Sequence, residues 1–245
     1  MTQQHPHLKI EQDGRILRIA LARPDCGISD SMAATIAGAL TSAHETSDAV
    51  LIRSAGTDFC TGRIRDVDGL PASEAYARRA EYDGIFDSYK AMRGALVPVI
   101  GVIEGRAMGF GTAIAALCDV SFASDAATFN IPEITHNVMP TMVMSAVYDR
   151  MSRNQVLLMA YTADFIAAER AMAYGIVSTV VPAAKLEAEV ARFCDLLLSR
   201  PRPAILGLKE YLRVAPRMDE QAAIDYARAL HSMVNTAAAM KKSPH

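Results

Sequence analysis

The 245 residues are 51% apolar and 21% charged, with a net charge of −2. That supplies a sizeable core for one large domain, and it excludes both the polybasic footprint of a nucleic-acid binder and an acidic tail. The most apolar stretch, Val97 to Leu117, is broken by Glu104 and Arg106 and so falls short of the ~18 residues that span a bilayer; residues 1–9 lack the basic-then-apolar order of a signal peptide, and a soluble cytoplasmic protein is expected.

Ile16 to Leu21 reads as a strand after the turn Asp13-Gly14. From Ser29 to Ser47 the spacing of Met32, Ile36 and Leu40 is helical, with Ser29 or Asp30 as cap. Ala49 to Arg53 is a short apolar strand, followed by a loop to Gly62. Pro71 to Met92 reads as one polar helix, Val97 to Ile103 as a buried strand, and Gly109 to Leu117 as an Ala-rich helix. Val120 to Ala123 and Thr128 to Ile131 are further strands. Beyond Thr141 the pattern is helical except for a strand at Ile176 to Val181, closed by Pro182. Early strand–helix alternation with late helices predicts an α/β core, residues 1–184, and a helical region, residues 185–245. Cys26, Cys60, Cys118 and Cys194 form no CxxC pair, so neither a metal site nor a disulfide framework is expected.

Three segments carry chemistry. In the first, a strand runs into Gly105-Arg-Ala-Met-Gly-Phe-Gly111 and then at once into a helix. Unpaired N–H groups and the positive dipole end make such a helix start a place for an anion or a developing oxyanion; a plain strand-to-helix turn is the alternative. The second is the glycine-bounded loop Gly56 to Gly62, followed by Arg63, at the end of a buried strand, where open α/β sheets place ligands. The third is Phe129 to Pro140, where Glu133 stands among Ile131, Pro132 and Ile134. Apolar surroundings disfavour the charged carboxylate and so suit it to act as a base. His136 is a second ionisable candidate.

Taken in order, these segments resemble the enoyl-CoA hydratase/isomerase (crotonase) family: Phe59-Cys-Thr-Gly62, then Pro98-Val-Ile-Gly101 through Gly111, Cys118-Asp119, and Ala127 through Pro132-Glu133-Ile134. Thr162 to Pro182 is similar to that family's stretch ending in Val-Val-Pro, and the likeness runs from Ile16 to Lys209. It implies a spiral of ββα units with a helical C-terminal region, assembled as a homotrimer or hexamer, that takes an acyl-CoA thioester. Coenzyme A would be part of the substrate, and no metal or other cofactor is implied. The resemblance places the two oxyanion-hole N–H donors at Arg63 and Phe110, framed by Gly62, Gly109 and Gly111.

The hydratases of that family carry two glutamates. Glu133 matches one; Ala113 stands where the other would be. Adding water needs one group to activate it and another to deliver a proton, whereas moving a double bond needs a single base. Glu133 alone therefore favours isomerisation over hydration. Another reaction of the same enolate (hydrolysis, decarboxylation or carbon–carbon cleavage) and a non-catalytic acyl-CoA binder remain as alternatives. Arg23, Arg63 and Arg65 are candidates for coenzyme phosphates, and Lys209 occupies the place of a common family lysine. Met139, Met142 and Met144 either line an acyl pocket or pack in the core. Tyr76, Tyr82 and Tyr89 lie on the helix that flanks that pocket, and the sequence does not choose among them as proton donor. Ala222, Ile224, Ala227, Leu230 and Val234 form a stripe expected to meet neighbouring subunits.

Overall fold

Val50, Leu51 and Ile52 are consecutive in one strand, and all three are buried. Successive strand residues face opposite sides of a sheet, so this sheet must be covered on both faces, as parallel sheets fed by crossover helices are. The computed structural model describes residues 5–66 and 74–241. In chain order, β1 (Leu8–Asp13), β2 (Ile16–Leu21) and β3 (Ile28–Ser29) lead into α1 (Asp30–Ser42). Then come β4 (Ala49–Ser54), β5 (Arg63–Ile64), α2 (Ala75–Ala80) and α3 (Asp83–Gly94). They are followed by β6 (Val99–Ile103), β7 (Arg106–Met108) and α4 (Phe110–Leu117), and by β8 (Val120–Ser124), β9 (Thr128–Asn130) and α5 (Thr141–Val147). Next are α6 (Arg153–Thr162), β10 (Ile166–Ala167), α7 (Ala168–Ala173) and β11 (Thr179–Val181). Finally come α8 (Leu186–Leu198), α9 (Arg202–Val214) and α10 (Glu220–Thr236).

The main sheet has the order β1-β2-β4-β6-β8-β11 and is parallel except for the β1–β2 hairpin. β2, β4, β6 and β8 are each followed by a short strand off that sheet. β3 pairs with β5, and β9 lies between β7 and β10. A bridge from Cys60 to Ala107 joins these two small sheets. Long strand, short strand and helix recur, which is the spiral of ββα units expected. One face of the main sheet, with Ile19, Val50, Ile52 and Val99, packs into the core shared with α1, α3 and α4. The other face, with Leu51, Ile100, Val102 and Phe122, is covered by Leu186, Val190 and Cys194 of α8. Each such fully buried aliphatic contributes about 1.5–3 kcal/mol. The first helix after Pro182 is therefore packed onto the core sheet.

Several expectations change. The helix expected over residues 71–92 is two helices with a break at Glu81-Tyr82, and its start lies outside the described residues. The α10 stripe faces its own chain in part: Leu230 is buried, and Val234 packs against Gly207 of α9. Among the described residues, no helix is long and apolar enough to cross a membrane.

Candidate active site

The loop after β4 and the turn before α4 are clamped together. The Asp58 carboxylate accepts from the Arg106 backbone N–H at 2.8 Å and from its guanidinium at 3.0 and 2.7 Å, and the Arg106 contact holds its pKa below the ordinary value. Cys60 N–H donates to the Arg106 carbonyl (3.0 Å), and Met108 N–H returns a bond to the Cys60 carbonyl (2.8 Å). A Cβ on Gly111 would lie 2.5 Å from that same carbonyl oxygen, so only glycine allows the first turn of α4 to sit against the loop. Gly62 (φ 127°) then turns the chain into β5.

Two backbone donors result. Ile28 N–H bonds to the Gly62 carbonyl, and in a parallel ladder this register turns the Arg63 N–H away from β3. Phe110 is the first residue of α4, so its N–H has no partner within the helix. The Arg63 side chain is engaged elsewhere. Its guanidinium grips Asp30 at 2.7 and 3.0 Å, donates to the Glu81 carbonyl at 3.0 Å, and lies 5.4 Å from the Tyr82 ring centre. It therefore fixes β5 to α1 and α3 and is not open to a phosphate.

β9 is pinned to the same helix start. Gly109 N–H donates to the Asn130 carbonyl (3.1 Å), and Thr112 Oγ1 lies 2.8 Å from the carbonyls of both Asn130 and Ala107. Pro132 then turns the chain into a single 3-10 turn, Glu133–His136, which ends at Asn137 in the left-handed region. This places the Glu133 carboxylate directly over Gly109. Any Cβ there would collide with Oε1, and the Gly109 backbone (φ 51°, ψ −109°) excludes one in any case. Glu133 Oε2 is buried and has no hydrogen-bond partner among the described residues. Burial raises the carboxyl pKa, a bond to its own backbone N–H partly opposes that, and the His136 charge opposes it further. Ala113 is fully buried one turn along α4, with no polar atom to offer.

His136 is exposed, and its influence on Glu133 is electrostatic only. Met142 and Met144 of α5 pack against the core, while Met139 is exposed. Arg23 pairs with Asp25 at 2.8 Å. Lys209 is not among the residues gathered at Glu133. Its buried ammonium bonds to Asp119 (2.5 Å) and to the Val97 carbonyl (2.8 Å), beyond the C-terminal end of α4, about 12 Å from the Phe110 end for eight residues. It borders a separate cavity of about 730 Å³ with Leu117 and Ile205. Lys209, a substrate-binding candidate from its place in the family pattern, here ties α9 to the sheet. Lys209→Met should lower the free energy of unfolding in urea by about 1–3 kcal/mol, because Asp119 keeps the Val99 N–H but loses its cationic partner, while the KM for an acyl-CoA stays unchanged.

Of the three tyrosines, Tyr89 alone faces the site. Its ring stacks on Phe110 at 5.6 Å, and its buried hydroxyl has no partner among the described residues. Tyr76 is exposed, and Tyr82 lies under Arg63. The sequence held the signal: Ile85, Tyr89 and Met92 recur at helical spacing, which marks the inward face of α3. The Asp58–Arg106 clamp had none, since its members are distant in sequence.

Comparison with known proteins agrees with this fold. A family model described as Enoyl-CoA hydratase/isomerase matches residues 11–245. The mouse protein "Enoyl-CoA hydratase domain-containing protein 3, mitochondrial" is 27% identical over 228 residues, covering 88% of this chain and 75% of that protein. "Probable enoyl-CoA hydratase echA8" of Mycobacterium tuberculosis is 28% identical, covering 87% and 79%. Among solved structures, an enoyl-CoA hydratase of Mycobacterium smegmatis superposes with a TM-score of 0.89 at 23% identity, covering 96% and 93% of the two chains. A Thermobifida fusca YX protein solved in complex with acetoacetyl-CoA superposes at 0.82 with 25% identity, covering 93% and 94%.

Proposed function

The chain belongs to the enoyl-CoA hydratase/isomerase family, and from that premise we propose that it binds an acyl-CoA thioester, stabilises the enolate drawn from it, and shifts a double bond rather than adding water. The observation that carries this reading is the Glu133 carboxylate, poised over the start of α4 with one oxygen shielded and without a partner among the described residues, while Ala113 of the same helix supplies no second acid. The relative solved with acetoacetyl-CoA supports a thioester as ligand.

In this reading the thioester oxygen accepts from the N–H groups of Arg63 and Phe110. Glu133 removes a proton from the carbon next to the thioester of a β,γ-unsaturated acyl group. The electron pair moves through the conjugated system onto the thioester oxygen, where two preorganised donors are worth several kcal/mol. The protonated Glu133 then returns its proton at the γ carbon, and the double bond closes between the α and β carbons. No water is consumed and no second acid is required. Arg23 is the cation best placed in sequence for a coenzyme phosphate, at the expense of its bond to Asp25. The exposed Leu208 and Leu212 of α9 favour assembly as a trimer or hexamer.

The test is a matched pair of substrates, 3-hexenoyl-CoA and 2-hexenoyl-CoA, with isomerisation followed by the ultraviolet absorbance of the conjugated thioester and hydration by mass spectrometry. Conversion of the first into the second should outrun appearance of any product heavier by one water by at least tenfold. Hydration at rates on the order of hundreds per second would overturn the preference for isomerisation.

A further inference from the structure

Two polar atoms at this site are buried in the same region and have no hydrogen-bond partner among the described residues. One is a donor, the Tyr89 hydroxyl; the other is an acceptor, Glu133 Oε2. The charges that act on the phenol are those of the site itself, Glu133 and Arg63. Yet Tyr89 and Glu133 do not bond to each other, although that would satisfy both at once. Tyr89 is only 4% exposed, so bulk solvent does not serve its hydroxyl either. Its ring is held between neighbours, stacked on Phe110 and edge-on to Phe86 at 6.3 Å. A phenylalanine would make the same ring contacts without leaving an orphan donor.

We infer that the acyl group this site is built for carries an oxygen of its own near the reacting carbons, and that Tyr89 is the residue that recognises it. This rests on the reading of the site as an acyl-CoA site. The Tyr89 ring packs against Phe110, the residue whose N–H would hold the thioester oxygen. An oxygen on the acyl chain at or beyond the β carbon accepts from the Tyr89 hydroxyl; where it is a hydroxyl, it also donates to Glu133 Oε2. A plain hydrocarbon chain would seal the Tyr89 donor away unsatisfied. Such a mismatch is worth roughly 5- to 150-fold in affinity. Burial first, and then the Glu133 charge, hold the phenol protonated far above its ordinary range. It therefore acts as a hydrogen-bond donor to substrate at every working pH and not as a proton source.

The experiment measures dissociation constants by calorimetry for butyryl-CoA, 3-hydroxybutyryl-CoA and acetoacetyl-CoA, with the wild type and Tyr89→Phe. The wild type should bind the two oxygen-bearing thioesters at least fivefold tighter than butyryl-CoA. In Tyr89→Phe that ratio should fall towards one, by loss of affinity for the oxygenated pair with butyryl-CoA unchanged or tighter. The melting temperature of the variant should be unchanged or higher, since an unsatisfied group has been removed. Equal wild-type affinity for all three overturns the inference and would mean that water serves the hydroxyl. A ratio that survives in Tyr89→Phe overturns the assignment to this residue. These are binding measurements, so a preference for oxygenated acyl groups can stand or fall independently of which reaction Glu133 performs.

Discussion

Glu133→Gln should cut turnover of the best acyl-CoA substrate by about 10²- to 10⁴-fold, with KM changed far less. The variant keeps the shape of the side chain and its contact with Gly109 but removes the basic oxygen, and general-base help is typically of this size. Among the described residues, His136 is the ionisable side chain whose charge acts on Glu133, and its exposure leaves it outside the shielded space. Near wild-type turnover in Glu133→Gln would pass the role to another group. The pH dependence supplies a second check. Burial, the largest influence, raises the Glu133 pKa, so the acid limb of kcat/KM in the wild type should lie above the ordinary carboxylate range. Stability has a definite sign as well. Between the unfolded-state value and the raised folded-state value the folded protein holds more protons, so stability falls as pH rises through that window. At neutral pH, Glu133→Gln should accordingly be at least as stable as the wild type in urea unfolding. A strongly destabilised variant would mean that the carboxylate serves the fold.

Gly109→Ala should lose about 10²- to 10³-fold in kcat, the usual cost of removing one oxyanion donor. Two effects combine. The backbone at φ 51°, ψ −109° is open to glycine, and the added Cβ would strike Glu133 Oε1. Relief of either moves the Phe110 N–H, the carboxylate, or both. A stability loss of about 1–3 kcal/mol is expected alongside, so turnover has to be measured on folded protein verified by circular dichroism. Gly38→Ala is the control: a Cβ there meets nothing within 4 Å, and its helical position favours alanine. If Gly109→Ala matches that control in turnover, the start of α4 has no part in catalysis.

The long buried strands and the helices with apolar spacing were legible in the sequence because each has many residues to establish a period. Val99–Ile103 and α4 are cases in point. The short strands β3, β5 and β7 were not, since two or three residues carry no periodicity; they form because the neighbouring turn of the spiral presents a partner. The break at Glu81-Tyr82 was hidden for a related reason. Arg63 draws the Glu81 carbonyl and the Tyr82 ring to itself across the fold, and nothing local marks it. Glu133 was legible from its apolar neighbours. What raised it above a loop residue was the approach of Gly109, which is a tertiary fact. Lys209 illustrates the reverse: its partner, Asp119, is a residue ninety positions earlier, which no local pattern marks.

The donors that would hold negative charge here are main-chain N–H groups, locked by the Cys60 carbonyl and the Asp58–Arg106 clamp. The side chains that would decide the reaction are set apart from those N–H groups: Glu133 on its own turn, Tyr89 on α3, and position 113 one turn beyond the Phe110 donor on α4. Charge binding is thus indifferent to the identity of those side chains, and each can change without disturbing the clamp. A scaffold divided in this way can exchange one chemistry for another by single substitutions, and a glutamate returned at position 113 would be the shortest such step from moving a double bond to adding water across one.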